Sequence, residues 1–404
     1  MIIKFDMIQS IALAVLVLLL GKFLVNRFET LKKYCIPTPV VGGFIFAILA
    51  LILKQGNILE FEMDTTLQKL AMTVFFTSVG FSASFKLLKK GGVKVAIFLL
   101  CAVGLVVLQD VIGIAVASLF SLNPLLGLAT GSVPMTGGHG TAAAFGPVME
   151  SAGALGANTV AIAAATFGLV SGSMMGGPLG NRLILKNNLK SNKIEDYMAM
   201  DLSGDVSMVN TTNVGKPLIE NNFNIAAFEI LIAMGVGTVI SNIFVKAGFT
   251  LPSYIGAMLA GAIIRNISDS FKSFDVPMTE IDLVGSVALS LFLAMALMGL
   301  KLWQLADLAL PLFVMLFAQA LLMFLYANFV TFRALGKDYD AAVLAAGHCG
   351  FGLGATPNGI ANMTSVAEKF GASPTAFFVL PLVGSLFIDF FNAGIITFFM
   401  NLLI

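Results

Sequence analysis

The chain has 404 residues, 58% of them apolar and only 11% charged, with a net charge of +1, whereas soluble domains run at roughly 45–50% apolar and about 25% charged. Twenty-three basic and 22 acidic residues cannot cover a water-soluble globule of 42.6 kDa, so the composition is that of a polytopic membrane protein. The net charge excludes a basic nucleic-acid binder, the scattered Cys35, Cys101 and Cys349 exclude a disulfide scaffold, and two histidines leave no haem pair or His-rich metal site.

Apolar stretches of about 20 residues can cross a bilayer as helices. In chain order they predict spans near 8–26, 38–54, 66–85, 95–119, 157–180, 225–245, 251–266, 281–300, 308–332 and 374–400, ten in all. Two further apolar segments, 124–150 and 341–363, carry too much glycine and proline for a continuous helix. With the N-terminus outside, 18 of the 23 Lys and Arg residues fall in inside loops and five (Lys4, Lys54, Lys69, Lys246, Lys301) fall outside, the asymmetry expected of cytoplasmic loops. That sorting survives only if both leftover segments are re-entrant, returning to the side they left. The first span lacks a basic leader and a small-residue cleavage site, so it is expected to stay as a helix. Both termini then lie on the extracytoplasmic side.

The chain resembles itself at an offset near 215. Ile36-Pro37-Thr38 recurs as Leu251-Pro252-Ser253, Lys86 matches Lys301, and Leu128-Ala129-Thr130-Gly131 matches Leu344-Ala345-Ala346-Gly347 one residue out of that register. The organisation expected is an N-terminal repeat over 1–180, a cytoplasmic linker loop over 181–224 and a C-terminal repeat over 225–404. Each half holds five spans and one re-entrant Gly-rich loop. An odd span count inverts the second half, and inverted repeats with broken helices at the midplane are the plan of secondary transporters. The fold class is therefore an all-α polytopic membrane protein of ten transmembrane helices in two inverted-topology five-helix repeats.

The first loop contains Thr136-Gly137-Gly138-His139-Gly140-Thr141, and the second contains Gly352-Leu353-Gly354-Ala355-Thr356-Pro357-Asn358, running on to Asn362. Glycine lets backbone approach a ligand closely, and bare backbone at membrane depth is tolerated only where protein or a wet cavity surrounds it. Free N–H groups at helix starts suit an anion, and free carbonyls with Ser, Thr and Asn oxygens suit a small bare cation. Close helix packing through small residues explains the glycines but not the added Thr, His and Asn. His139 fits a ligand or a capping role equally, and His348 leans to a structural one. Asp389 and Asn392 share a helical face deep in the last span, an expensive placement that suits a cation site. Ser132 and Ser173 add hydroxyl oxygens, although Ser171 and Ser173 fit simple packing as well. Asp110, beside Gln109, has no polar partner nearby in sequence, and Glu150 ends the first loop.

The strings Thr136-Gly-Gly-His-Gly-Thr141 and Ala346-Gly-His-Cys-Gly-Phe-Gly-Leu-Gly-Ala-Thr-Pro357, continued by Ile360-Ala-Asn-Met363 and Phe387-Ile-Asp389, are long and unusual, and in them the chain resembles the bacterial sodium/glutamate symporter family. The resemblance implies Na⁺-coupled uptake of L-glutamate across the bacterial inner (plasma) membrane by alternating access, as a homodimer, with sodium ions as the coupling ion and no organic cofactor. Carried onto this sequence, the substrate role falls on Thr136 to Thr141, Gly352, Gly354, Thr356, Pro357 and Asn358, with Asn362 beside them. Position and chemistry assign Na⁺ to Asp389, Asn392, Ser132 and Ser173. The residues alone reach only a secondary carrier of a small anion, so a Na⁺- or H⁺-coupled citrate or dicarboxylate carrier is the alternative. An intramembrane hydrolase on Ser132 or Cys349 lacks any HExxH or GxSxG string, and a passive channel lacks charged rings. The chain is expected to be a transporter and not an enzyme.

Overall fold

The computed structural model describes residues 2–33, 36–191, 220–246, 253–271, 275–303 and 308–404. Most of the linker 181–224 and the Leu251-Pro252 landmark lie outside these residues. The helices, in our labels, are α1 (Met7–Arg27), α2 (Glu29–Lys33), α3 (Thr38–Gln55), α4 (Thr66–Ser82), α5 (Phe85–Lys90), α6 (Gly92–Leu119), α7 (Pro124–Leu128), α8 (Ser132–Met135), α9 (Gly138–Ser151) and α10 (Ala157–Lys186) in the first half. The second half holds α11 (Glu220–Lys246), α12 (Ser253–Phe271), α13 (Met278–Met298), α14 (Ala309–Ala334), α15 (Tyr339–Gly352), α16 (Thr356–Phe370), α17 (Pro374–Leu386) and α18 (Ile388–Leu403).

Local chemistry sets these boundaries. Asp6 and Gln9 form a capping box that starts α1: the Gln9 amide donates to Asp6 Oδ1 at 2.8 Å, and the Asp6 amide donates to Gln9 Oε1 at 3.1 Å. α10 runs six residues beyond the expected end of the fifth span because Leu183 and Ile184 are buried in the core. One small feature departs from an all-α chain: β1 (Ile2–Phe5) pairs in parallel with β2 (Glu60–Met63), Ile2 opposite Glu60.

Seven described helices are long and apolar enough to cross a membrane, and an eighth arises if α17 and α18, bent by 42° at Phe387, count as one. α4 has 17 residues, and α12 carries Arg265 and Asp269 near its end, which keep both out of that set. Both are nonetheless well packed. α4 packs closely against both α12 and α13, α11 lies against α12, and α1 and α3 lie against α13, completing one bundle. A second bundle is built on α6 and α10 with α7 to α9 and α14 to α18. Each half of the chain thus gives three long helices to the first bundle and the remainder to the second.

Few helix pairs join the two bundles: α13 with α9, and α17 and α18 with α4. Their seam is apolar, with Phe76, Tyr254 and Phe292 of the first bundle clustered against Phe145, Met149 and Val160 of the second. The Phe145 and Tyr254 rings meet edge to face with centroids 5.5 Å apart.

Close crossings inside the first bundle use small residues, as expected where lipid offers no hydrophobic drive. α1 meets α3 where a Cβ on Gly42 would strike the Val17 carbonyl oxygen. Replacing Gly42 by Val forces these backbones apart, a strain of about 1–3 kcal/mol. The purified Gly42→Val protein should therefore unfold at a lower temperature than the parent, measured by thermal denaturation in detergent.

Candidate functional site

The segment 124–150 folds as three helical pieces, α7, α8 and α9, and the segment 341–363 falls within two, α15 and α16, separated by Leu353–Ala355. Gly138 opens α9 at φ +62°, a left-handed conformation that favours glycine, and a Cβ there would lie 3.0 Å from the Gly354 carbonyl oxygen. The two breaks therefore touch, although they come from opposite halves of the chain.

Gln109 of α6 binds both. Its Nε2 donates to the Gly352 carbonyl at 2.7 Å, and its Oε1 accepts from the Thr136 hydroxyl at 2.8 Å. Gln319 of α14 donates to the Gln109 backbone oxygen at 2.8 Å. Gln109, Gln319 and Thr136 are all buried. Thr136 has one hydroxyl proton, so the shorter contact to Gln109 takes it and the Gly352 oxygen at 3.4 Å is left to the amide.

α10 carries a ridge of glycines at 168, 172, 176 and 180 against the second segment. A Cβ on Gly168 would strike the Leu353 carbonyl oxygen, and one on Gly176 would strike the Asn362 amide and the Ala346 carbonyl oxygen. This approach lets Asn358 Nδ2 donate to Leu169 O at 3.0 Å and to Ser173 Oγ at 2.8 Å, while Asn362 Nδ2 donates to Gly172 O at 2.9 Å. Ser173 donates onward to Leu169 O, and Ser171 merely bonds back to Phe167 O.

Around the first segment, Asp110 receives two bonds from one residue: Ser132 N–H at 2.8 Å and Ser132 Oγ–H at 3.0 Å. Asn392 of α18 donates to the Ser132 carbonyl at 3.2 Å. Asp389 sits one turn earlier, half-buried, just past the α17–α18 bend. Ser132, Asn392 and Asp110 therefore stand together. Ser173 stands apart from them, with Asn358.

The remaining candidates are placed as follows. His139 Nε2 pairs with Thr166 Oγ1 at 2.9 Å. Thr141 is buried on the next turn, where a Cβ on Gly137 would press on it, and Gly140 faces Phe75 and Leu289 of the first bundle. Thr356 and Pro357 open α16, with Pro357 exposed. His348 Nδ1 pairs with Thr331 Oγ1 at 2.8 Å, and its ring stacks on Phe351 at 4.8 Å. Thr331 reaches it from a π-helical stretch, Ala327–Thr331, within α14.

Among the described residues four side-chain amide oxygens, Asn158 Oδ1, Gln319 Oε1, Asn358 Oδ1 and Asn392 Oδ1, are buried without a hydrogen bond, and the last two sit beside the candidate hydroxyl ligands Ser173 and Ser132. A buried acceptor left unpaired is costly, and an oxygen so held can ligate a bare cation. Sequence reasoning passed over Gln109 as a residue with work to do and left Asp110 without a partner. The signal was a consecutive Gln-Asp pair inside a 28-residue apolar helix; Ser132 lies 22 residues away in sequence and becomes a neighbour only in the fold.

A family model described as sodium/glutamate symporter matches residues 3–372. A curated protein named sodium/glutamate symporter from Escherichia coli (strain K12) is 44% identical over 398 residues, covering 98% of each chain. One of the same name from Haemophilus influenzae (strain ATCC 51907 / DSM 11121 / KW20 / Rd) is 43% identical over 397 residues, covering 97% of this chain and 96% of the relative.

Gln109→Leu keeps the side chain's bulk but removes the closer donor to the buried Gly352 carbonyl, leaving it only the Thr136 hydroxyl at 3.4 Å, at a cost of about 1–3 kcal/mol. The variant should lose thermal stability in detergent, whereas Leu108→Gln on the exposed face of the same helix should lose less.

Proposed function

The chain belongs to the sodium/glutamate symporter family, and we propose that it carries L-glutamate at the meeting point of its two backbone breaks, moving it by alternating access. Na⁺-coupled glutamate symport is its activity, and it is a multi-pass membrane transporter, not an enzyme. The observation that carries the location is the contact of Gly138 with Gly354 under the Gln109 bridge. There the start of α9 meets the Leu353–Ala355 break before α16. A helix start with an amide lacking an intrahelical acceptor can receive a carboxylate, although on α16 Pro357 has no N–H and the Asn358 N–H already donates to Ala355 O. Thr136, His139 and Thr141 on one side, with Thr356 and Asn358 on the other, supply polar side chains for the remaining groups of the amino acid.

The Na⁺ ligands we assign are Asn392 Oδ1, Ser132 and Asp389, with the Asp110 carboxyl group adjoining Ser132. Asn358 Oδ1 beside Ser173 offers a second set of oxygens. Asn392 of α18 holds the Ser132 carbonyl of the first segment, and Ser173 of α10 holds Asn358 of the second. Ordering the cation set therefore orders the substrate set, which is how coupling arises when each ligand removes conformational freedom the other would have to remove.

The two-bundle division supports alternating access. The breaks and their ligands all belong to the second bundle, and a seam of apolar contacts with few helix pairs permits one bundle to shift against the other. Ten spans, with segments 124–150 and 341–363 re-entrant and the halves inverted, complete the reading. They place the termini outside and the 181–224 loop inside a bacterial inner membrane. The resemblance adds a homodimer.

Purified protein in liposomes should accumulate L-glutamate only under an inward Na⁺ gradient, with excess citrate failing to compete. Accumulation without Na⁺, or citrate transport in place of glutamate, would overturn this reading. Asp389→Asn removes a carboxylate from the cation set alone. Half-saturation by Na⁺ should rise about tenfold or more, about 1.4 kcal/mol, with a smaller change for glutamate. An unchanged Na⁺ activation curve would remove Asp389 from the site.

A further inference from the structure

A cavity of about 740 Å³ opens at the seam between the bundles, away from the breaks. It is walled by the start of α4, the C-terminal half of α9, the start of α10 and the end of α13. Two exposed lysines line it, Lys69 on α4 and Lys301 just after α13, with Glu150 of α9 also on its wall. Tyr254 and Asn158 line it too, and their Oη and Oδ1 atoms are buried without a hydrogen bond. Tyr254 is only 2% exposed, its ring held against Phe145 and Phe76. Such a phenol is fixed in place with its hydroxyl unspent.

The cavity stops short of the breaks. Ala143 and Ala144 line it, but one turn earlier Gly140 faces Phe75 and Leu289, whose nearest carbons would lie 3.4 and 3.3 Å from a Cβ placed on that glycine. These two apolar side chains cover Gly140, which lies along α9 between the lining residues Ala143 and Ala144 and the Thr136–Gly138 turn. They belong to the first bundle and Gly140 to the second, so a shift between the bundles moves the barrier.

We infer that this cavity is an outer antechamber that binds L-glutamate before it reaches the breaks. Lys69 and Lys301 draw in the two carboxylates, Tyr254 Oη donates to a carboxylate oxygen, and Asn158 Oδ1 with Glu150 receives the ammonium group. The charged lining matches an acidic amino acid in sign, two cations and one anion, and Tyr254 and Asn158 stand among further neutral polar residues of the wall. A divalent cation would meet two lysines against a single carboxylate. The volume falls in the range of about 300–1,000 Å³ typical of small-molecule sites, and like-signed charges lining a low-dielectric cleft raise the local concentration of an anionic ligand. Phe75 and Leu289 form the gate between antechamber and breaks. The inference rests on glutamate symport and on the outer placement of Lys69 and Lys301, and it adds a site to the one at the breaks.

The test is L-glutamate uptake by cells expressing the full chain, at fixed Na⁺, with ionic strength varied by choline chloride. The double variant Lys69→Gln with Lys301→Gln should raise KM about tenfold, summing the modest contributions of two exposed charges, with the maximal rate little changed and the dependence of KM on salt flattened. Lys69→Arg with Lys301→Arg should retain the parental KM. Tyr254→Phe, which keeps the ring packing, should raise KM less and leave the salt dependence intact. An unchanged KM and salt response in the double Gln variant, or a loss confined to maximal rate, would overturn the antechamber. Failure of the unmodified protein to take up glutamate with Na⁺ would instead strike at the symport activity itself.

Discussion

Backbone N–H and C=O groups released at a helix break must be satisfied by protein when the break lies at membrane depth. In this chain the amide of Gln109 meets that demand at the second break by donating to the Gly352 carbonyl, and it ties the first break to the second by accepting from the Thr136 hydroxyl. An amide side chain suits the task because it offers a donor and an acceptor on one rigid plane. Asp110, the next residue, holds Ser132 at the start of α8 in the same way, with a carboxylate receiving both the backbone and the side-chain proton. One turn of α6 therefore anchors the first segment twice and the second segment once.

Packing makes this bridge effective. The glycine ridge of α10 brings the second segment close enough for Asn358 and Asn362 to reach α10 carbonyls, which fixes where their oxygens point. Each amide nitrogen spent on a carbonyl leaves its oxygen for other use, and in Asn358 and Asn392 that oxygen is buried and unpaired. A side chain held by its donor half with its acceptor half unspent is preorganised for a cation. The same second bundle meets the first across a seam whose described core is a cluster of apolar side chains.

Much of this was legible from the residues. Composition and the sorting of basic residues point to a membrane carrier, and the glycine-rich strings point to two interrupted helices that the structure does contain as α7–α9 and α15–α16. Asn392 and Ser132, chosen separately for their oxygens, prove to be hydrogen-bonded neighbours. What could not be read was anything that depends on two elements crossing. Gln109 looks like an isolated polar residue in a greasy helix because its partners are 27 and 243 residues away. Ser173 stands with Asn358 rather than with Asn392, a consequence of how α10 lies across the second segment and not of any local pattern. The division into two bundles was equally hidden, since hydropathy reports that a helix is apolar but not which neighbour covers it. The extra turns of α10 have a similar cause: Leu183 and Ile184 count as span residues only once the core that buries them is in place.

The central claim is that L-glutamate sits where the two breaks meet. A cryo-electron microscopy structure of the protein with Na⁺ and L-glutamate bound tests it most directly. Density for the amino acid should lie between Thr136–Thr141 and Gly354–Asn358, with an ion within ligating distance of Asn392 Oδ1. Glutamate held solely in the seam cavity by Lys69 and Lys301, with both breaks closed against each other and no ion at Asn392, would contradict it.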